Sequence, residues 1–458
     1  MKSNWKTLTL GDVTTWSSGG TPKKSEPSFW NGDISWISAS SMDGHLYTDS
    51  RLKITLDGLN NGSRLAPEGS ILLLVRGSIL HQKIQVDLTT KPVAFNQDVK
   101  CLIANEALVD PWYLLLWFKA KEQELLSIVE STGIGAGKFD TKLLLNYPIE
   151  IPPKEERDRI RTIGKALFDK TTLNQQTNQT LEQMAQALFK SWFVDFDPVI
   201  DNALAAGTNI SDFPEPLQKR AELRKTVQQS ADAKKLPEGL SQETRKLFPS
   251  EFEESELGWV PKGWEVKSLA DVTTQLRRGI SPKYLEEGGI QVINQKCIRN
   301  HEVNYDLCRR NNPELRKIDG RELQLGDLLI NSTGVGTLGR MAQVRYLDEL
   351  TVVDSHVTVV RADAQRYPIY TFGQMMLSLE RQIEALGEGS TGQTELSRKT
   401  VSKLPVILPS NKSMKFMEEN LVDISKKTIS NIKQTKEVTK LRDTILPKLI
   451  SGDISLDY

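Results

Sequence analysis

The sequence predicts an α+β protein made of two α/β units, each closed by a long helix. The two helices are expected to pack on each other as a coiled-coil spacer; if they pack antiparallel, the units fall in a pseudo-two-fold arrangement. Three observations carry this prediction. In 153–196, Ile160, Ile163, Leu167, Leu181, Met184 and Leu188 share one alternating 3/4 register that also passes through Lys170, Asn174 and Thr177. The stretch has no Gly after Gly164 and no Pro after Pro153. It can therefore run for about 44 residues, roughly 66 Å at 1.5 Å per residue.

A rod of that length cannot bury its own stripe, so it needs a partner. Moving 257 positions along the chain lays Ile160 on Met417, Leu167 on Ile424, Asn174 on Asn431, Leu181 on Val438, Met184 on Leu441 and Leu188 on Ile445. An Asn at the middle of both stripes costs stability but sets register and orientation.

The third observation is an internal repeat. Trp5 with Gly11-Asp12-Val13-Thr14-Thr15 recurs as Trp264 with Ala270-Asp271-Val272-Thr273-Thr274, 259 positions on. Ser131-Thr132-Gly133 recurs at the same offset as Ser390-Thr391-Gly392, and 147–152 recurs as 404–409 at the helices' offset of 257. The expected divisions are 1–152, a helix at 153–196, a connector at 197–260, a second unit at 261–409 and a second helix at 410–458.

Whole-chain numbers agree with this layout. A chain of 458 residues with 38% hydrophobic content supports several ordinary cores. No run of eighteen apolar residues and no apolar leader core is present, so the expected location is the cytoplasm. The three scattered cysteines, Cys101, Cys297 and Cys308, fit a reducing compartment and supply no zinc set. Balanced charge, 59 basic against 59 acidic residues, means that any nucleic-acid binding must rest on local clusters.

Within each unit the strand candidates are 34–38, 70–75 and 99–103, then 290–293, 327–330 and 356–360, bounded by turn residues. A helix follows in each, 111–130 and 367–386. The connector mixes a charged helical piece, 216–235, with the acidic run 251–256, read as a solvated face.

Catalytic motifs are missing. Gly334 to Gly339 spells GxGxxG, but 340–345 reads as another strand, so a hairpin turn replaces a dinucleotide loop. Residues 133–138 fail as a phosphate loop. The histidines His45, His81, His301 and His356 have no metal-binding spacing, and neither a G-x-S-x-G elbow nor an Asp/Asn-Pro-Pro-aromatic tetrapeptide occurs.

What remains is a recognition inventory on the loops. The first unit offers Gly20, Thr21, Lys23, Lys24, Ser38, Arg76, Ser78, His81, Gln97, Ser131, Thr132 and Lys138. The second offers Arg277, Arg278, Ser281, Lys283, Tyr284, Asn294, Gln295, Lys296, Ser332, Thr333, His356, Ser390, Thr391 and Gln393. Arg, Asn, Gln, Ser and Thr read base edges or hold phosphates, and Gly admits a close backbone approach.

The central run 181–196, LEQMAQALFKSWFVDF, the entry 256–264, ELGWVPKGW, the Ser-Thr-Gly tripeptides and 151–157, IPPKEER, together resemble the specificity subunit of type I restriction-modification enzymes. The resemblance spans essentially the whole chain. The second repeat departs from it at 408–413, LPSNKS. It implies two target recognition domains, each reading half of a bipartite, asymmetric double-stranded DNA site, joined by spacer helices that also serve as docking surfaces. Catalysis is expected on partners: two methyltransferase subunits with S-adenosylmethionine, and motor-nuclease subunits with ATP and Mg. No cofactor is expected on this chain. The competing expectation is an assembly scaffold with a coiled-coil core that reads no DNA.

Overall fold

The computed structural model describes residues 4–42, 46–47, 49–133, 135–229, 242–334, 336–387 and 395–454. The chain forms two compact units, Met1–Gln175 with Ile432–Tyr458, and Gln176–Asn431. Both long helices cross the boundary, so each unit holds part of each helix.

In the first unit, a five-stranded sheet has the order Thr14–Ser18, Val99–Ala104, Ile71–Leu74, Val86–Thr89, Leu46–Tyr47. The run Ile71-Leu72-Leu73-Leu74 is buried on both faces, because the helix Pro111–Ala120 covers one of them. A four-stranded sheet pairs Trp30–Ile37 parallel to Val93–Phe95, with Phe95 opposite Ile37. Lys6–Thr9 closes antiparallel on Pro148–Ile151.

The second unit repeats the plan. Thr273–Arg278, Val357–Ala362, Leu328–Asn331 and Met341–Gln343 form one sheet. Ile290–Ile293 runs parallel to Thr351–Val353 in another, with Ile293 opposite Val353. Glu265–Ser268 closes on Pro405–Leu408. The repeat extends to individual bonds. Gly20 N donates to Phe95 O at 2.9 Å and Ile280 N to Val353 O at 3.0 Å; Phe139 N donates to Val75 O at 3.0 Å and Leu396 N to Ser332 O at 2.9 Å. Gly334, Gly336 and Gly339, all at positive φ, turn the chain from Leu328–Asn331 into Met341–Gln343, as a hairpin requires.

The first long helix runs Lys154–Phe189. It ends sooner than the expected 196, in a π turn, Lys190–Val194, and a left-handed Phe196 at φ 58. That ending delivers Trp192, Phe193 and Phe196 to a cluster with Phe248 and Trp264. The second long helix is Asn411–Ile450. Pairing is antiparallel within each unit. In the first, Asn174 Nδ2 donates to Gln434 Oε1 and Thr435 Oγ1, both at 3.2 Å, and Arg442 lies over the Phe168 ring. In the second, Asn431 Nδ2 donates to Asn178 Oδ1 at 2.8 Å, and Trp192 stacks on Phe416.

The buried seam differs from the expected one. Ile160, Asn174, Met417 and Asn431 are buried as expected, but Met184 and Leu441 are 56% and 50% exposed. Ile163, Leu167, Leu181, Leu188, Ile424, Val438 and Ile445 sit half-buried on the flanks. The other buried positions are Gly164, Phe168, Thr171, Asn178, Ala185 and Phe189 on one helix and Ser413, Met414, Leu421, Ser425, Thr428, Leu446, Leu449 and Ile450 on the other. Two physical reasons account for the shift. Phe168 and Phe189 bury more area than Leu167 and Leu188, and enter the two main cores. The middle of the seam is built from Thr, Ser and Asn, which a hydrophobic pattern cannot see. Burying each aliphatic member, such as Ile160 or Leu446, contributes roughly 1.5–3 kcal/mol.

The connector packs as a helical hairpin, Asp197–Ala205 against Glu215–Gln229. Its lock is ionic: Arg224 forks onto Asp201 at 2.9 and 2.6 Å, and Arg220 onto Asp197 at 2.6 and 2.5 Å. The acidic run lies on an exposed β hairpin, Phe252–Ser255 with Gly258–Pro261.

Candidate functional site

In each unit the two parallel strands end side by side, and their loops share one edge. In the first unit Ile37 leads to Ser38 and Phe95 to Asn96, whose N–H donates to Ile37 O at 3.0 Å. The crossing of Gly19 over Phe95 leaves no room for a side chain, since a Cβ there would meet Phe95 O at 2.1 Å. This brings Thr21 to Gln97, with its hydroxyl donating to Gln97 Oε1 at 2.7 Å. Val75 N donates to Asp98 O at 2.8 Å, placing the segment that starts at Arg76 beside the same loop.

Arg76–Gly77 then pairs with Gly137–Lys138, which pairs with Glu130–Ser131. Arg76 and Lys138 are direct cross-strand partners, two exposed cations, and on its other side Lys138 is cross-strand from the exposed carboxylate Glu130. His81 Nε2 lies 3.2 Å from Gly135 O, and Thr132 Oγ1 accepts from Ala136 N at 3.1 Å. Lys100 donates to Ser18 Oγ nearby. Thus Gly20, Thr21, Ser38, Arg76, Ser78, His81, Gln97, Ser131, Thr132 and Lys138 lie on neighbouring loops. Lys23 and Lys24 are exposed farther along the segment from Thr21, where Trp30 Nε1 donates to Lys23 O at 3.2 Å.

The second unit has the same edge with different chemistry. Asp354 N donates to Ile293 O at 2.9 Å, so the loops 294–296 and 354–356 adjoin. Thr333 Oγ1 is 2.9 Å from His356 Nδ1 and 3.4 Å from Gln295 Oε1. The buried Asn331 donates to Gln295 O at 3.1 Å, fixing the turn that presents Gln295 and Lys296. Asn294 spends its side chain on that turn, accepting from Lys296 N at 2.9 Å and donating to Leu307 O at 3.3 Å. The Cys297 and Cys308 sulfurs lie 3.9 Å apart beneath it.

Three candidates in this unit hold structure rather than present themselves. Ser332 is fully buried, with its hydroxyl 2.6 Å from Thr358 Oγ1. A Ser at the end of a buried strand pairs its hydroxyl internally because it cannot reach water. Arg278 pairs with Glu395 Oε1 at 2.6 Å and donates to Leu396 O at 3.2 Å, and Arg277 donates to Gly320 O. Ser281, Lys283 and Tyr284 are exposed on the segment after Ile280, which bridges to Asp354. Ser390, Thr391 and Gln393 lie outside the described residues.

Electrostatics at this edge follow burial. Burial pushes the Asp354 carboxyl up and the Tyr284 phenol up. Behind it, burial acts to raise the Glu182 carboxyl, but the Arg345 guanidinium and the amides of Gln374 and Gln186 outweigh it and hold Glu182 below its ordinary value. Gln186 continues the chain to His301 at 3.1 Å, and His301 Nε2 to Glu380 at 2.8 Å. This network clamps the first long helix to the second unit. Its members are scattered in sequence, so no local pattern marks them. The same holds for Arg309, over the Tyr284 ring. Among the described residues no group of three or more His, Cys, Asp or Glu could hold a metal ion, and no helix is long and apolar enough to cross a membrane.

Comparison with known proteins bears on what such paired edges do. Residues 2–183 match the family described as type I restriction modification DNA specificity domain. The type I restriction enzyme HindI specificity subunit of Haemophilus influenzae is 27% identical, over 99% of this chain and 100% of its own length. The MjaIX specificity subunit of Methanocaldococcus jannaschii is 23% identical over 99% of this chain and 94% of its own. The EcoR124I/EcoR124II specificity subunit of Escherichia coli is 34% identical over 34% of this chain and 38% of its own. Among solved structures, the S subunit of a type I restriction-modification system from M. genitalium shares the fold at a TM-score of 0.50 and 13% identity, covering 97% of this chain and 96% of that one. Residues 2–183 thus carry a type I restriction modification DNA specificity domain, and along its whole length the chain is similar to type I restriction enzyme specificity subunits.

Proposed function

We propose that this chain is the non-catalytic DNA-reading subunit of a type I restriction-modification complex, with its two units reading the two halves of a bipartite, asymmetric site. The single observation that carries the reading is the repeated loop edge. The same backbone junction occurs twice, once dressed with Arg76, Lys138, Thr21 and Gln97 and once with Gln295, Lys296, Thr333 and His356. These side chains bind phosphates and base edges, and two different sets on one scaffold suit two different half-sites. Balanced net charge agrees, since the acidic run lies on a separate hairpin. In this reading the long helices act as spacer and docking surface for two methyltransferase subunits and motor-nuclease subunits, which carry S-adenosylmethionine, ATP and Mg.

The test is single-molecule methylome sequencing of cells with and without this gene, alongside the methyltransferase subunit. One bipartite N6-methyladenine motif should vanish on deletion. Unchanged methylation with partners still co-purifying would favour the scaffold reading. Within the complex, Arg76→Ala should weaken DNA binding and lower the salt slope by about 1 if Arg76 holds a phosphate. An unchanged slope rules that contact out.

A further inference from the structure

One arginine of the second unit stands apart from its neighbours. Arg310 is paired with Glu349 at 2.5 and 2.8 Å, Arg316 with Asp319 at 3.7 Å, and Arg321 donates to Gly279 O at 2.7 Å. Arg309 adjoins Arg310 on the strand Arg309–Asn311, so its side chain leaves from the opposite face. It is exposed, and among the described residues no carboxylate is ion-paired with it. Its contact is a ring: the guanidinium carbon lies 3.2 Å from the centroid of Tyr284, which is itself 38% exposed.

The Arg309–Tyr284 pair sits at the loop edge. Arg309 is opposite Val292, next to Ile293, whose carbonyl joins the loops 294–296 and 354–356. Cys308, the residue before Arg309, touches Cys297 at the end of the Gln295–Cys297 turn. Burial, with a smaller push from the Asp354 carboxylate, raises the Tyr284 phenol, while Arg309 acts to lower it.

We propose that Arg309, held flat by Tyr284, reads a guanine in the major groove. This rests on the DNA-reading role above and assigns one residue of that site a base. Guanine presents O6 and N7 as adjacent acceptors, and a guanidinium fork matches them with two parallel donors. A phosphate contact needs a charge near an oxygen. Reading a base edge needs the fork in a set plane, and an aromatic backing supplies that constraint. Lys283 and Lys296, flexible and exposed at the same edge, suit phosphates without one.

The experiment uses the full chain with its methyltransferase subunits and reads the methylome in vivo. Arg309→Lys keeps the charge and loses the fork. It should relax one guanine in one half of the motif, with discrimination at that base pair falling about tenfold or more and the other half unchanged. Tyr284→Leu should relax the same position, and Tyr284→Phe should preserve it. An unchanged motif in Arg309→Lys overturns the assignment. So does uniform weakening across sequences in Arg309→Ala with a salt slope lower by about 1, which marks a phosphate contact. Loss of all methylation in both Arg309→Lys and Tyr284→Phe, with melting unaltered, also overturns it. If the wild-type chain itself supports no bipartite motif, the DNA-reading role has failed instead, which separates the two ideas.

Discussion

In the first unit the buried strand Ile71–Leu74 runs out into Arg76, cross-strand from Lys138. In the second the matching strand Leu328–Asn331 runs out into Thr333, bridged to Glu395, which is paired with Arg278. The backbone bonds around both places agree pair by pair, while the side chains share almost nothing. The first edge exposes two cations with one carboxylate, Glu130, cross-strand from Lys138; the second pairs its own arginine and offers amide, hydroxyl and imidazole groups. The main-chain bonds of the junction itself are repeated, while the side chains it presents are free to differ.

The largest expected effect tests where the units differ in their supporting layer. Asp327, buried in the second unit, holds Arg361 through two bonds at 2.6 and 2.7 Å. The matching positions in the first unit are Ser70, bonded to Thr89 and Pro67, and Ile103, which is 42% exposed. Arg361→Ala strands a buried carboxylate and should cost the second unit about 3–5 kcal/mol. Ile103→Ala should cost under about 0.5 kcal/mol. Chemical denaturation of the two variants measures the contrast, and equal losses would break the comparison.

The glycine crossings test the shared part. A Cβ on Gly19 would meet Phe95 O at 2.1 Å, and one on Gly279 would meet Val353 O at 2.0 Å. Gly19→Val and Gly279→Val should each destabilise their own unit by about 3 kcal/mol, because backbone on both sides must move. Hydrogen exchange can localise each loss. A large effect in only one unit would show that the junctions are less alike than their bonds suggest.

The polar seam sits third. Asn178→Ala removes a 2.8 Å bond to the buried Asn431 and should cost about 1–2 kcal/mol. Asn174→Ala removes two bonds at 3.2 Å to Gln434 and Thr435 and should cost less, about 1 kcal/mol, because Gln434 is exposed and can turn to water. Thermal melts of the two variants rank them.

Much of this architecture was legible before any coordinates. Trp5/Trp264 and the two offsets located the repeat because they flank the closing strand pairs, Lys6–Thr9 on Pro148–Ile151 and Glu265–Ser268 on Pro405–Leu408, which recur in both units. The long helices announced themselves by periodicity, yet their seam was misplaced at Met184 and Leu441, since apolarity alone cannot tell a flank from a buried row of Thr, Ser and Asn. Loop candidates such as Thr21, Gln97, Gln295 and His356 came together in space because they end paired strands. Ser332 and Arg278 looked alike in sequence to Thr333 and Arg76; only tertiary partners, Thr358 and Glu395, decide which way each is used. Arg309 and the Glu182 network had no local signal, because their partners are far away in sequence.

That network yields the smallest and most conditional prediction. His301 Nε2 bonds Glu380, and Gln186 bonds its Nδ1, with Glu182 and Arg345 also facing it. The Glu380 hydrogen bond and charge outweigh burial and hold the imidazolium above its ordinary value of 6.5. A histidine raised on folding adds stability that is fully present below its unfolded pKa, about 6.5, and is lost as pH climbs through the folded value. The second unit should therefore melt lower above neutrality than at pH 6, and His301→Gln should flatten that slope. With both partners more than a quarter exposed, at 28% and 29%, the effect should stay under about 1 kcal/mol. In the first unit the position matching Glu182, 257 residues on, is Thr439 of the second long helix, so the carboxylate that faces His301 has no counterpart there. That unit's melting should be indifferent to His301→Gln, and a pH slope that His301→Gln leaves intact would assign the dependence to another group.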